Sequence, residues 1–132
     1  MSQVDRDAVK NEAKRRIRNL VEDYMRVLTA GRKESFNEER VKIAYIVPFL
    51  EALNWNPRTD EVLPEQATLT GRADFGLRVG GRTKIFVEMK SFKKSLDGYD
   101  TVKGMQRSLA EQAIHYAWSM KADWAVLTNF EE

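Results

Sequence analysis

Residues 72–90 constrain the fold more than any other stretch, because two strand-like runs there flank the pair Gly80-Gly81. The second run alternates in character, so its residues divide between two faces: Ile85, Val87 and Met89 on one, and Lys84, Phe86, Glu88 and Lys90 on the other. An acid and a base that lead out of an apolar strand are costly to place there without a partner. The stretch therefore predicts a hairpin that carries a polar site, and a divalent metal ion is one partner that fits.

The polar residues of this hairpin are suited to phosphodiester hydrolysis. Asp74 and Glu88 match Mg²⁺, which proteins hold through one or two carboxylates with several waters retained. Lys90 would hold the attacking water or stabilise the developing negative charge, and the backbone carbonyl of Met89 is a further possible ligand. A surface ion pair of either acid with Lys90 or Arg72, worth at most about 1 kcal/mol, stays open as the alternative.

The two acids can share one face of the sheet only if the hairpin is irregular. A two-residue turn at Gly80-Gly81 would place Asp74 and Glu88 on opposite faces. We therefore predict an odd-length turn or a bulge, and a three-residue loop over 79–81 would bring Asp74 opposite Phe86. The expected buried residues of the two strands agree, since all are odd-numbered: Ala73, Phe75, Leu77 and Val79, then Ile85, Val87 and Met89.

Composition narrows the class of protein. The 132 residues suffice for one domain, 1–132, and the 42% hydrophobic and 32% charged content is typical of a globular protein. Cysteine is absent, which excludes disulfides and thiolate zinc sites and fits the cytoplasm. The sequence has no membrane-length apolar run and no signal-peptide core. A net charge of +2 permits a polyanionic partner without requiring one.

Apolar periodicity predicts three helices, over about 5–30, 37–53 and 105–121. Pro48 is expected to kink the second helix, and Ser35 and Glu38 have the spacing of a capping box. The first helix has a basic face that is either solvated or a DNA-backbone or intersubunit surface: Arg6, Lys10, Lys14, Arg15 and Arg18.

Outside the hairpin, strands are predicted over 61–66, at a sheet edge because of Pro64, and over 124–128. Strand 83–90, helix 105–121 and strand 124–128 then form a βαβ unit with a right-handed crossover. The predicted fold is α/β, a three-layer α-β-α arrangement with a central mixed sheet and the order ααβββαβ. Because the chain stops directly after its last strand, we expect it to be the front of a longer polypeptide.

A series of spaced motifs across about residues 36–130 resembles one nuclease family. The motifs, in order, are Asn37-Glu38-Glu39, Pro48 to Trp55, Arg72-Ala73-Asp74, Glu88-Met89-Lys90, Gln112 to Tyr116, and Thr128-Asn129. The set resembles the PD-(D/E)xK superfamily, and within it the N-terminal endonuclease domain of type I restriction enzyme R subunits and of single-chain restriction–modification enzymes. Two positions depart from the pattern, since Ala73 stands for Pro and Asn54 for the usual Gly before Trp55.

This resemblance implies a restriction-endonuclease-like fold and a Mg²⁺-dependent endonuclease that cuts double-stranded DNA, with Mn²⁺ as a substitute. It implies Asp74 and Glu88 as metal ligands, Lys90 as the catalytic lysine and Glu38 as an accessory acid. Gln112 and Tyr116, one helical turn apart, would support the site or touch DNA, although a core-edge pair explains them too.

Partners follow from the same resemblance. They are double-stranded DNA, further domains of the same polypeptide (a helicase motor, a methyltransferase or specificity domains) and a transient dimer for double-strand cleavage. Residues expected to contact the DNA backbone are Arg72, Lys93, Lys94, Lys103 and Arg107. His115, the only histidine, is expected to be a bystander. Two alternatives stay open: a non-catalytic nuclease-like domain that docks DNA or a subunit, and a junction resolvase or repair nuclease on the same fold.

Overall fold

The computed structural model describes residues 1–68, 71–102 and 105–132, without the side chains of 66–72 and 100–107. Its helices are α1 (Gln3–Thr29), α2 (Glu38–Val41), α3 (Val47–Ala52) and α4 (Leu109–Ser119). Its strands are β1 (Val62–Thr68), β2 (Gly71–Val79), β3 (Arg82–Met89), β4 (Tyr99–Val102), β5 (Met105–Ser108) and β6 (Trp124–Thr128). None of the helices in these ranges is both long and apolar enough to cross a membrane.

The chain is a mixed α/β protein built on a four-stranded sheet of order β1-β2-β3-β6. The pairs β1–β2 and β2–β3 are antiparallel, whereas β3 and β6 are parallel and are connected through α4. Strand β1 lies at an edge, as Pro64 predicted, because a proline there removes no hydrogen bond that a central strand would need. The strands β4 and β5 form a separate two-stranded sheet.

Helices pack against both faces of the four-stranded sheet, which is compatible with three layers. Val87 contributes to a large core cluster with residues of α1, α2 and α3, whereas its neighbour Phe86 packs with Tyr116 and Ala117 of α4. Successive residues of a strand point to opposite faces, so the two clusters lie on opposite sides of β3. The sequence pattern assigned Phe86 to the same face as charged residues. Because α4 covers that face, Phe86 is buried, with 1% of its surface exposed.

The second predicted helix is interrupted. Residues Lys42–Ile46 form a π-helical turn between α2 and α3, and Pro48 is the second residue of α3. Proline cannot donate to the preceding turn, so the irregular turn lies where the sequence predicted a disturbance. The predicted capping box is wrong, because the side chain of Asn37 caps α2 by accepting from the backbone N–H of Arg40.

The hairpin between β2 and β3 contains the predicted irregularity. Val79 pairs with Arg82 across a two-residue turn, but the register shifts between Leu77 and Arg78, so that Lys84 becomes an extra residue in β3. The predicted bulge is thus confirmed.

The three-residue version of that turn is wrong. Gly76, not Asp74, faces Phe86, and the same register continued by two residues brings Asp74 level with Glu88. Val79, expected in the core, is 56% exposed because it borders the turn.

The third predicted helix starts too early. Residues 105–108 belong to strand β5, and α4 begins at Leu109 with Ser108 as its N-cap, whose side chain accepts from the N–H of Glu111. Strand β4 lies between β3 and β5, where the sequence predicted no strand. The sequence therefore missed a short hairpin between β3 and α4.

Candidate metal and catalytic site

Glu88 lies near the end of β3, on the face that α4 covers. Its neighbours Phe86 and Lys90 share that face, and Phe86 packs directly against α4. Glu88 is 6% exposed, and its Oε2 atom has no hydrogen-bond partner among the residues that the structure describes. A buried carboxylate oxygen without a partner is destabilising unless a cation or a proton satisfies it.

Lys90 lies beside this carboxylate. Its Nζ is 3.5 Å from Oε1 of Glu88, and its side chain is 12% exposed. The backbone N–H of Lys90 donates to the carbonyl of Thr128 at 2.8 Å, which attaches the end of β3 to β6. The parallel pairing of β3 and β6 thus fixes the strand from which the lysine projects.

Asp74 reaches the same strand from β2. Its Oδ2 accepts a hydrogen bond from the backbone N–H of Met89 at 2.8 Å. Because Met89 lies between Glu88 and Lys90, this bond holds the Asp74 carboxylate next to the acid–base pair.

The charges of these groups act on one another. Burial, and next the negative charge of Asp74, raise the pKa of Glu88 to about 7, although Lys90 opposes the shift. A carboxylate whose ionised form is so disfavoured has too little positive charge around it in the protein alone. A divalent cation between Asp74 and Glu88 would reverse that imbalance.

The residues present fit Mg²⁺. Across the described ranges, no three His, Cys, Asp or Glu side chains form a group that would enclose a metal ion. Mg²⁺ does not need such a group, since it keeps several waters and binds through one or two carboxylates. The unpartnered Oε2 of Glu88 and the adjacent Asp74 supply that donor set. The side chain of Met89 packs in the core cluster on the face opposite Glu88, which leaves only its backbone carbonyl as a candidate ligand.

Glu38 lies at the start of α2 and is close enough for its charge to raise the pKa of Glu88, as the smallest of the contributions. Its side chain is not needed as a cap, because Asn37 has that role. The structure thus places the predicted accessory acid within electrostatic reach of Glu88.

Gln112 and Tyr116 face the site from α4. Nε2 of Gln112 donates to the Tyr116 hydroxyl at 2.8 Å, and Oε1 of Gln112 is buried without a partner in the described part of the chain. Burial raises the pKa of Tyr116, and the charges of Glu88, Lys90 and Asp74 also act on it. The pair therefore lies within electrostatic reach of all three site residues.

The residues predicted to contact the DNA backbone differ in their surroundings. Lys93 pairs with Glu34 at 3.5 Å, and Nζ of Lys94 donates to the carbonyl of Tyr99 at 3.5 Å. Lys103 and the side chains of Arg72 and Arg107 lie outside the described residues.

Two other residues named from the sequence lie on helices. His115, the predicted bystander, is exposed on α4. Arg15, on the basic face of α1, pairs with Glu12.

The sequence predicted no role for Asn129, but in the structure its side chain forms hydrogen bonds that link two segments. It is 2% exposed, its Nδ2 donates to the carbonyl of Lys94, and its Oδ1 accepts from the N–H of Glu132. Asn129 thereby ties the segment after β3 to the end of β6. The available signal was a polar residue directly after a short apolar strand, which is a common place for a functional side chain.

Comparisons with known protein families, curated proteins and solved structures give no match to this chain.

Proposed function

We propose that the chain is a Mg²⁺-dependent endonuclease domain that hydrolyses phosphodiester bonds in double-stranded DNA. The observation that carries the proposal is the buried Oε2 of Glu88, which has no partner in the described residues and lies on a strand that Asp74 also contacts. An unsatisfied carboxylate beside a second carboxylate and a lysine is suited to a divalent cation and an anionic substrate. A structural ion pair would not need the second acid.

The mixed α/β architecture is compatible with the proposed restriction-endonuclease-like fold. Three helices and β1 precede the antiparallel β2–β3 hairpin, whose second strand is connected through α4 to the parallel strand β6. The proposed order ααβββαβ counts α2 and α3 as one interrupted helix and treats the β4–β5 sheet as an insertion. Asp74 lies on β2, Glu88 on β3 and Lys90 directly after β3, and the PD-(D/E)xK pattern likewise carries its acids and lysine along two adjacent strands.

The roles divide among the side chains by charge and position. Bound Mg²⁺ would supply a water of lowered pKa and neutralise charge at the phosphate. Asp74 and Glu88 would hold the ion through their carboxylates. Lys90, 3.5 Å from Glu88, is placed to orient the attacking water and to stabilise negative charge that develops on the phosphate.

The surrounding residues complete the proposed site. Tyr116 and Gln112 line it from α4 and present a hydroxyl and an amide to the substrate or to the metal-bound waters. Glu38 adds negative charge near Glu88. By its motifs the chain most resembles the nuclease part of a restriction enzyme that acts in the cytoplasm, with other domains supplying sequence recognition.

A cleavage assay tests the proposal. Supercoiled plasmid and a linear duplex are incubated with the chain and with the longer polypeptide, if the gene encodes one, in Mg²⁺, Mn²⁺ or chelator. We expect metal-dependent nicking or linearisation that Glu88→Gln abolishes and Asp123→Asn, an exposed acid paired with Lys84, leaves intact. Equal cleavage by the two variants would contradict the assignment, and DNA binding without cleavage would favour the docking alternative.

A further inference from the structure

The pairing of β1 with β2 is interrupted opposite Asp74. Pro64 pairs with Phe75 and Gln66 with Ala73, but the intervening residues Glu65 and Asp74 do not form a regular pair. The ladder between β1 and β2 is therefore interrupted at the level of Glu65 and Asp74.

Glu65 has a backbone conformation that is rare within a strand. Its φ is 52°, in the left-handed region, where an L residue with a long side chain is disfavoured. Such conformations persist where the surrounding structure requires them, and they cluster at functional sites.

The interruption changes which face the residues of β2 occupy. Ala73 packs with Phe86 and Tyr116 on the α4 side, whereas Phe75 packs in the core cluster on the opposite side. Residues two apart in a regular strand share a face. The alternation of β2 is therefore broken at Asp74.

The same interruption frees Asp74 from the ladder with β3. The regular pairing of β2 and β3 begins at Phe75 and Val87. Beyond it, the side chain of Asp74, rather than a backbone carbonyl, accepts the N–H of Met89. The carboxylate thus comes to lie along β3 beside Glu88, where a regular strand would place backbone.

We propose that Glu65 is a positioning residue whose left-handed backbone displaces β2 at Asp74 and so sets the Asp74 carboxylate against β3. We assign this role to the backbone conformation of Glu65. The inference rests on the proposed function only for its effect on metal affinity, because the hydrogen bond to Met89 exists without a metal.

Substitutions at position 65 separate the backbone from the side chain. Glycine adopts positive φ readily, and asparagine tolerates it, while valine and threonine resist it because they are β-branched. Glu65→Gly and Glu65→Asn should therefore keep the site, and Glu65→Val and the milder Glu65→Thr should lose it.

The first readout is hydrogen exchange of the Met89 amide in the metal-free chain. We expect exchange close to the wild-type rate in the glycine and asparagine variants. In the β-branched variants it should be about tenfold faster or more, while the amide of Val87 in the same strand stays protected. Faster Met89 exchange in the glycine variant, or unchanged exchange in a folded β-branched variant, would overturn the proposal.

The second readout is Mn²⁺ affinity by calorimetry. We expect affinity within a few-fold of wild type for Glu65→Gly and a loss of about tenfold or more for the β-branched variants. Equal losses in the glycine and β-branched variants would assign the effect to the carboxylate and contradict the backbone role. If the wild type itself binds no Mn²⁺, the proposed function fails, and the Met89 exchange rates still decide this inference.

Discussion

Nζ of Lys90 lies 3.5 Å from Oε1 of Glu88, and the two side chains are only 12% and 8% exposed. The pair is almost enclosed, yet the second oxygen of Glu88 has no partner in the described residues. An enclosed pair formed for stability would satisfy both oxygens, since each buried charge loses hydration that its partners must replace. The incomplete pair supports the proposed site, in which a further cation would satisfy the second oxygen of Glu88.

The stability of the metal-free chain should depend on the protonation of Glu88. Burial and the Asp74 charge raise its pKa from an ordinary value of 4.5 to about 7. The folded state holds the proton more tightly, so the stabilising contribution is present below the unfolded pKa and is lost as pH rises through the folded pKa. Between about pH 5 and pH 8, the free energy of unfolding should fall by roughly 2–3 kcal/mol more in wild type than in Glu88→Gln.

Urea unfolding at a series of pH values in chelator measures this difference. Glu61→Gln, an exposed acid outside the site, serves as the matched control and should follow the wild type. Parallel pH profiles for wild type and Glu88→Gln would show that Glu88 titrates normally and is not confined as described.

Lys90→Met should separate the effect of the lysine's charge from the effect of its packing. Methionine is similar in length to lysine but uncharged, so the substitution removes an interaction that lowers the pKa of Glu88. We expect the pKa of Glu88 to rise above about 7 and DNA cleavage to fall by about 100-fold or more. Carboxyl NMR and the cleavage assay measure the two effects, and Lys84→Met is the control. Normal cleavage by Lys90→Met would remove the lysine from the mechanism.

Tyr116→Phe should leave the buried amide of Gln112 without the acceptor that lies 2.8 Å away. An unsatisfied buried group costs about 1–3 kcal/mol. The double variant Gln112→Leu/Tyr116→Phe should recover part of that stability while cleavage stays reduced, because both polar groups are lost from the site. Thermal unfolding and cleavage rates of the two single variants and the double variant test this. Full cleavage by the double variant would make the pair purely structural.

Part of this arrangement was predictable from the residues because it follows from alternation. The odd-numbered apolar positions of the two hairpin strands required a bulge if Asp74 and Glu88 were to share a face, and the shift at Leu77 and Arg78 provides it. Which strand would carry the extra residue was not predictable. An extra residue in either strand, or in the turn, would place the odd-numbered residues of both strands on one face equally well.

Other features of the fold could not be predicted from the local sequence. A left-handed residue in a strand is expected at glycine or asparagine, so nothing marks Glu65 in advance. The β4–β5 hairpin joins short segments with little apolar alternation. The π-helical turn before Pro48 depends on how the helix packs, although the proline indicated a disturbance. The position of the Asp74 side chain beside β3 was likewise not predictable from the sequence.

The most direct test of the central claim, one cation held jointly by Asp74 and Glu88, is a calorimetric Mn²⁺ titration of four proteins. They are the wild type, Asp74→Asn, Glu88→Gln and the surface control Asp123→Asn. We predict one site in the wild type and the control, with affinity reduced by about tenfold or more in each of the two site variants. Binding of equal strength in all four proteins, or a loss confined to one of the two site variants, would contradict a shared metal site.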